Sequence, residues 1–344
     1  MSKQNVRWGL LSTARINERL ISPLRVADRS ELLAVASRDQ VRADEYAAER
    51  EISRAYGSYE AMLADPDVDA VYIGLPNALH AEWTIRSAEA GKHILCEKPL
   101  TTSPEDVTRM ADAAQENGVV LQEATMMRFH AQTRELRALV VRGDIGELRA
   151  LRGIFTFTLT REGDIRTSRE LEGGSLWDLG SYCVSFMRAV TAAEPLAVQT
   201  WQTATEDGVD LSCMGQMHFP DGVMGQFFSS FATLPCTEAE ILGSAGMVRL
   251  DMPWLNQVGA TANVHVTRAG AAESAGTFGD SADSKQDETL TRENINAYQD
   301  EVDNMVACIL DGAEPIISLA DSRHNVAAIA ALYQSARENR MVSL

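Results

Sequence analysis

At 344 residues, with 45 % hydrophobic and 23 % charged side chains, the chain is long enough for two ordinary globular domains. Its net charge of −18 repels a nucleic-acid backbone, and no apolar run reaches the ~18 residues of a membrane helix. Five scattered cysteines without a C-x-x-C pair, and six histidines without ligand spacing, argue against disulfides and against a metal centre. The opening MSKQNVRWGLL lacks the cleavage region of a signal peptide, so a cytoplasmic location is expected.

The first 122 residues alternate strand and helix. VRWGLL (6–11) is a short apolar run, and INERLISPLRVA (16–27) has helical spacing. ELLAVAS (31–37) and QVRADEYAAERE (40–51) repeat the pair. DAVYIGL (69–75) is a third strand, followed by the helix LHAEWTIRSAEAG (79–91) with Gly91 as its C-cap. HILCE leads to SPEDVTRMADAAQENG (103–118), a helix with Ser103 as N-cap and Pro104 at its first position. VVLQEA closes the series. Near-continuous apolar strands separated by helices imply a doubly wound parallel sheet covered on both faces.

From residue 124 the pattern changes. A helix (131–142) precedes the strand ELRALRGIFTFTL (147–159). More strands are expected at 196–203, 209–219, 223–231, 237–243, 246–251 and 263–267, with PDG (220–222) as a tight turn. This is an open, mostly antiparallel sheet. Residues 268–289 are polar and rich in small side chains, which predicts a mobile loop. Two helices end the chain, the first carrying Ile295, Tyr298, Val302, Met305, Val306 and Ile309 on one face.

The first strand runs into GLLSTARI (9–16) and a helix. Against G-x-G-x-x-G, Gly9 takes the first position, Leu11 the second and Ala14 the third, so Gly9, Ser12, Thr13, Ala14, Arg15 and Ile16 are expected to cradle a pyrophosphate at a helix N-terminus. At the end of the second strand, Ser37 and Arg38 offer a hydroxyl and a guanidinium suited to a 2′-phosphate, which favours NADP over NAD. Asp39, one place later, is the alternative that would select NAD.

Only four of the 31 basic side chains are lysines: Lys3, Lys92, Lys98 and Lys285. Lys98 follows the strand HILCE and precedes a proline, which restricts the backbone and aims the side chain beyond the carboxyl end of the sheet. Partial burial there would lower its pKa and suit it to proton transfer. Asp178 and Tyr182 are spaced i, i+4, on one face of a helix, just after Gly173 and Gly174. A tyrosine beside a lysine cation can accept the proton of an alcohol while hydride leaves carbon.

EKPL (97–100), GLPNALHAEW (74–83), MMRFH (126–130) and GGSLWDLGSY (173–182) together resemble the Gfo/Idh/MocA family of oxidoreductases, over Arg7 to about Leu250. The details look most like its dimeric dihydrodiol dehydrogenase and NADP-linked D-xylose 1-dehydrogenase branch. The resemblance implies a Rossmann domain over 1–123 and a substrate-binding and dimerisation α+β domain over 124–344. It places Lys98, Tyr182 and Asp178 in catalysis, and Leu75, Pro76, Asn77, His80, Glu97, Lys98 and Arg128 beside the cofactor. From their position, Arg128 and His130 where the chain crosses between domains, and Arg166 and Arg169 before the Gly-Gly pair, are candidates to bind substrate hydroxyls or the cofactor; Arg166 and His130 are expected beside Asp178 and Tyr182 at the substrate. Ser175 stands where the motif usually has a third glycine, and Ala131 where many relatives have proline. The implied function is NADP-dependent hydride transfer from a CH–OH group of a sugar, polyol or cyclic diol. A non-catalytic NADP-binding sensor and a reductase of an anhydro-ketose are the alternatives. Relatives pair through the second-domain sheet, so a homodimer or higher oligomer is expected, with Ile154, Phe155 and Phe157 on the shared face.

Overall fold

The computed structural model describes residues 5–254, 260–269 and 286–344. They divide into two compact units. One comprises Met1–Phe129, Glu170–Gly173 and Ala297–Ala327; the other His130–Arg169, Gly174–Asn296 and Ala328–Leu344.

The first unit is built on six parallel strands: β1 (Val6–Leu11), β2 (Ser30–Ala36), β3 (Arg54–Tyr56), β4 (Ala70–Ile73), β5 (His93–Glu97) and β6 (Leu121–Ala124). Their order is β3-β2-β1-β4-β5-β6, that of a Rossmann sheet. The connecting helices are α1 (Asn17–Val26), α2 (Gln40–Glu49), α3 (Tyr59–Leu63), α4 (His80–Glu89) and α5 (Pro104–Glu116). Trp8, Leu10, Tyr72, Ile73, Ile94 and Leu95 are fully buried, as strands covered on both faces require. Ser103 caps α5 through the backbone N–H of Asp106, as its sequence predicts. The short β3 and α3 carry too few residues to show a period, and no expectation covered them. Lys92 is structural: its ammonium is buried and donates to the carbonyls of Asp65 (2.7 Å) and Val68 (2.8 Å). Lys3 and Lys285 lie outside the described residues.

The second unit opens with α6 (Ala131–Arg142) and β7 (Leu148–Thr158). A π-helical turn (Leu176–Gly180) runs directly into α7 (Ser181–Thr191). Then come β8 (Ala197–Ala204), β9 (Asp210–His218), β10 (Met224–Ser230), β11 (Ala232–Gly243), β12 (Gly246–Leu250), β13 (Ala260–Arg268) and β14 (Gln286–Ile295). Helices α8 (Ala297–Asp311) and α9 (Leu319–Glu338) and the short β15 (Val342–Ser343) end the chain. The nine-stranded sheet is ordered β14-β13-β12-β11-β7-β10-β9-β8-β15. Among the described pairs only β7–β10 is parallel. The turn between β9 and β10 places Asp221 and Gly222 at φ 58° and 73°, which explains the PDG signal.

Three expectations change. The polar stretch 268–289 is in part strand, since Gln286–Ile295 forms β14 against β13, while 270–285 lie outside the described residues. The first terminal helix begins at Ala297, so Ile295 belongs to β14. Phe155 does not face outward: strand alternation turns it toward α7, where it is buried edge-on to Tyr182 at 5.4 Å and stacked with Trp254. Phe157 packs on Phe231. The other face of the sheet instead carries a row in register across four strands: Trp201, Met214, Phe228 and Ile154.

His130 is also not what its position in the sequence suggests. It is buried, and its Nδ1 accepts the backbone N–H of Gln132 (3.0 Å) as the N-cap of α6, so that lone pair is not available to a substrate. Desolvation, aided by the nearby Arg134 charge, pushes its pKa down to about 4. The folded state therefore binds this proton less readily than the unfolded chain. The stability it contributes is complete above the unfolded value of about 6.5 and is lost as pH falls toward 4. His130→Asn keeps a capping acceptor that cannot titrate. Between about pH 7 and pH 4.5 the unfolding free energy of the parent should fall further than that of this variant, by up to about 1.4 kcal/mol per unit of pKa shift, and its thermal midpoint should fall with it. Parallel midpoint-against-pH curves would show that the imidazole does not carry the effect.

Candidate active site

The carboxyl end of β1 does not use Gly9. That residue lies inside the strand, where a Cβ would stand 2.7 Å from the Met62 sulfur, so its job is packing against α3. The strand ends at Leu11 and the turn begins at Ser12. The glycine-motif register is therefore Ser12-Thr13-Ala14-Arg15-Ile16-Asn17, three residues later than the sequence suggests and without any glycine. Side chains close the loop instead. The Asn17 amide donates to the Ser12 carbonyl (2.8 Å), and the Ser12 hydroxyl donates to the Gly74 carbonyl (3.2 Å) and accepts the Ala14 N–H. A side chain at Gly74 would crowd the turn, since a Cβ would stand 3.0 Å from the Ile16 side chain and 3.2 Å from Asn17 Oδ1.

Among the described residues, the backbone N–H groups of Thr13, Arg15 and Ile16 donate to no protein acceptor, and the buried Asn17 Oδ1 is also unpartnered. Three open amides at the start of a ten-residue helix fit a pyrophosphate. Ser37 is buried at the end of β2, and Arg38 is exposed beyond it. The Asp39 carboxylate is spent on α2, whose first turn it caps through the Arg42 N–H (2.8 Å).

At the ends of β4 and β5 the picture is mixed. Leu75 is buried, and Pro76 and Asn77 are half-buried. Asn77 gives its amide to the carbonyl of Glu172 (2.8 Å), whose carboxylate accepts the Thr102 hydroxyl (2.6 Å). His80 was expected to line the cofactor. It is instead buried between the carbonyls of Leu75 (2.8 Å) and Pro99 (2.9 Å), which engage both ring nitrogens. It ties together the two loops that follow β4 and β5. The two carbonyls favour the protonated ring and burial disfavours it; desolvation is the larger effect and lowers its pKa. Glu97 accepts the Tyr72 hydroxyl (2.5 Å) and the backbone N–H of Lys98 (3.1 Å). Lys98 is half-buried and joined to Pro99 by a cis peptide bond. Arg128 pairs with Asp321 at 3.0 Å, which makes it part of a salt bridge within the first unit.

In the second unit, Arg166 Nε donates to Asp178 Oδ2 at 2.7 Å, and a second contact reaches Asp164. The Asp178 charge holds the guanidinium firmly protonated. Tyr182 is 7 % exposed, on the first turn of α7. Asp178 sits in the π-helical turn just before it, so the i, i+4 pair spans a change of helix type that spacing alone does not reveal. Arg169 points to the Asp207 carbonyl.

Sequence reasoning missed four residues. Asn17 was hidden by the wrong motif register. Tyr72 looks like plain strand core in DAVYIGL. Glu301, on α8, is wholly buried, and neither carboxyl oxygen has a hydrogen-bond partner among the described residues. Burial, with the charges of Glu97 and Glu123 nearby, raises its pKa well above the usual carboxylate value. Asp210, at the start of β9, is 1 % exposed and gathers four donors from three chain segments.

Comparison with known proteins accounts for this arrangement. Residues 6–125 match the oxidoreductase family with an NAD-binding Rossmann fold, and residues 133–249 match the GFO/IDH/MocA C-terminal domain. The D-xylose 1-dehydrogenase (NADP(+)) 2 of Haloferax volcanii is 34 % identical over 338 residues, 98 % of this chain and 99 % of that one. The trans-1,2-dihydrobenzene-1,2-diol dehydrogenase of Bos taurus is 35 % identical over 248 residues, covering 71 % and 74 % of the two chains. A crystal structure of a 3-ketoreductase from Actinomadura kijaniata, in complex with NADP and TDP-benzene, superposes with a TM-score of 0.87 at 27 % identity, covering 96 % and 98 %. The chain belongs to the Gfo/Idh/MocA family of oxidoreductases.

Proposed function

We propose that this oxidoreductase uses NADP to oxidise a CH–OH group of a sugar or cyclic diol, with Tyr182 as proton acceptor. The first unit binds the dinucleotide and the second binds the substrate. The observation that carries the cofactor choice is the division of labour after β2: Asp39 is committed to capping α2, and Arg38 stands exposed at the strand end. When bound, the nicotinamide supplies the hydride acceptor. Thr13, Arg15 and Ile16 give backbone donors to the pyrophosphate, and Ser37 with Arg38 takes the 2′-phosphate. Tyr182 removes the substrate hydroxyl proton, and the Lys98 ammonium stabilises the phenolate that the transfer needs. Asp178, fixed by Arg166, orients substrate hydroxyls. Glu97 anchors the backbone of Lys98 through its N–H. The five cysteines are free thiols, which suits a reducing, cytoplasmic compartment.

The competing sensor reading predicts NADP binding without turnover. Absorbance at 340 nm, followed with NADP and a panel that includes D-xylose and trans-dihydrobenzenediol, separates the two. Binding without reduction across the whole panel favours the sensor.

Arg38→Ala should weaken NADP binding by about 1.5–3 kcal/mol, the worth of a charge-assisted hydrogen bond, and leave NAD binding nearly unchanged. Equal parental affinities for NAD and NADP would sink the assignment.

Tyr182→Phe should lower turnover by roughly 10²–10⁴-fold with NADP binding intact, and Lys98→Met should act similarly. Near-parental turnover in Tyr182→Phe, with chemistry rate-limiting, would remove the tyrosine as proton carrier.

The row Trp201, Met214, Phe228 and Ile154 belongs, in this reading, to a homodimer face. Trp201 is 50 % and Met214 44 % exposed, an apolar stripe that a second copy would cover. Sedimentation should give twice the chain mass for the parent and the chain mass for Trp201→Glu combined with Met214→Glu. A monomeric parent would exclude the dimer.

A further inference from the structure

Asp210 lies outside the groups that the proposed chemistry uses, yet it is the most heavily bonded carboxylate of the second unit among the contacts described. Its Oδ2 accepts the Ser175 hydroxyl (2.7 Å), the Leu176 backbone N–H (2.8 Å) and the Cys213 thiol (3.3 Å). Its Oδ1 accepts the Tyr333 hydroxyl of α9 (2.5 Å). The segment these bonds hold is the one that carries Asp178 and, one turn later, Tyr182. Leu176 opens the π-helical turn, so its N–H is one of the unpaired donors of a helix start, and a carboxylate there also meets the positive end of the helix dipole.

Two details show that the surroundings are shaped around this carboxylate. Gly174 has φ +132°, and a Cβ on it would lie 2.2 Å from Asp210 Oδ1 and 2.5 Å from the Tyr333 hydroxyl, so the backbone passes where a side chain cannot. Trp177 packs on the Tyr333 ring at 5.4 Å. Ser175, which replaces the glycine usual in the resembling motif, supplies one of the four donors, and its hydroxyl is fully buried. A buried carboxylate is costly unless its lone pairs are filled, and apolar residues could fill the same volume more cheaply. What the carboxylate adds is a fixed position for the segment that donates to it.

We propose that Asp210, acting through Ser175, the Leu176 N–H and Tyr333, is a positioning residue that sets the placement of Asp178 and Tyr182. This rests on the reading of Tyr182 as proton acceptor. The Arg166–Asp178 pair fixes the segment from its outer side, and the Asp210 contacts fix it at its start. A displacement near 1 Å at the proton acceptor is enough to cost about 10²-fold in rate.

The test uses the full chain with NADP and D-xylose, and the variants Tyr333→Phe and Ser175→Ala, each of which removes one donor and little volume. Turnover should fall about 5- to 50-fold, within the cost of a small misplacement. NADP affinity should stay within about twofold, because the dinucleotide contacts belong to other residues. In a Tyr182→Phe background the same substitutions should cost less than about twofold more, since groups that act as one unit are not additive. Independently of activity, hydrogen exchange in the peptide 175–183 should quicken in both variants while that of 93–97 stays parental. Parental turnover with unchanged exchange overturns the proposal. So does a loss of activity that follows the unfolded fraction at the assay temperature. If Tyr182→Phe itself proves fully active, the proton-acceptor reading fails on its own, and exchange across 175–183 alone then decides whether Asp210 positions the segment: faster exchange supports it and parental exchange refutes it.

Discussion

Parallel pairing is the constraint from which the first unit follows. When β1 lies parallel to both β2 and β4, their carboxyl ends emerge at the same edge, and each connection must cross back over a face as a helix. Ser12 after β1, Ser37 after β2, Leu75 after β4 and Lys98 after β5 are therefore neighbours in kind, although they are scattered over 87 positions of sequence. The same constraint brings the start of α1 to that edge with its amides unpaired. The Ser12–Gly74 hydrogen bond then stitches one strand end to the next.

Much of this was legible from sequence because burial on both faces writes a plain signature. VRWGLL, HILCE and the capped helix at Ser103 are strands and a helix where the apolar runs and the Ser-Pro pair place them. The register of the phosphate loop was not legible. An apolar run does not say at which residue it stops being strand, and Gly9 offered a false first glycine whose real task is to make room for Met62. The loop's glycines are replaced by Ser12, Ala14 and Asn17, and only the hydrogen bonds show that these side chains close the turn. His80 and His130 looked like site residues because histidine at a loop is suggestive; one bridges two backbone carbonyls and the other caps a helix. The polar β14 carries little apolar alternation, so it resembled a loop until its pairing with β13 was seen.

The site residues of the two units are held in different ways. In the first unit, backbone carbonyls and amides set the geometry, and charges such as Arg128 and Asp321 cancel nearby. In the second, carboxylates organise their surroundings: Asp178 anchors Arg166, and Asp210 collects its four donors. The turn after β1 is the exception in the first unit, because the Ser12 and Asn17 side chains bond its backbone where glycines are missing. Carboxylate hubs depend on the identity of each donor, which makes Ser175 and Tyr333 poor sites for neutral drift.

The sheet of the first unit is not completed by the chain that begins it. Helix α8 lies against α1 and β1, and it contributes Glu301 and Tyr298 to the surroundings of Tyr72 and Glu97. During synthesis all six strands leave the ribosome some 170 residues before this cover does. Over that interval the part of the face that holds the ring of Tyr72 lacks the cover that α8 gives it. The first unit therefore finishes its packing only after the strands of the second have been made, so the order of synthesis and the order of burial differ in this chain.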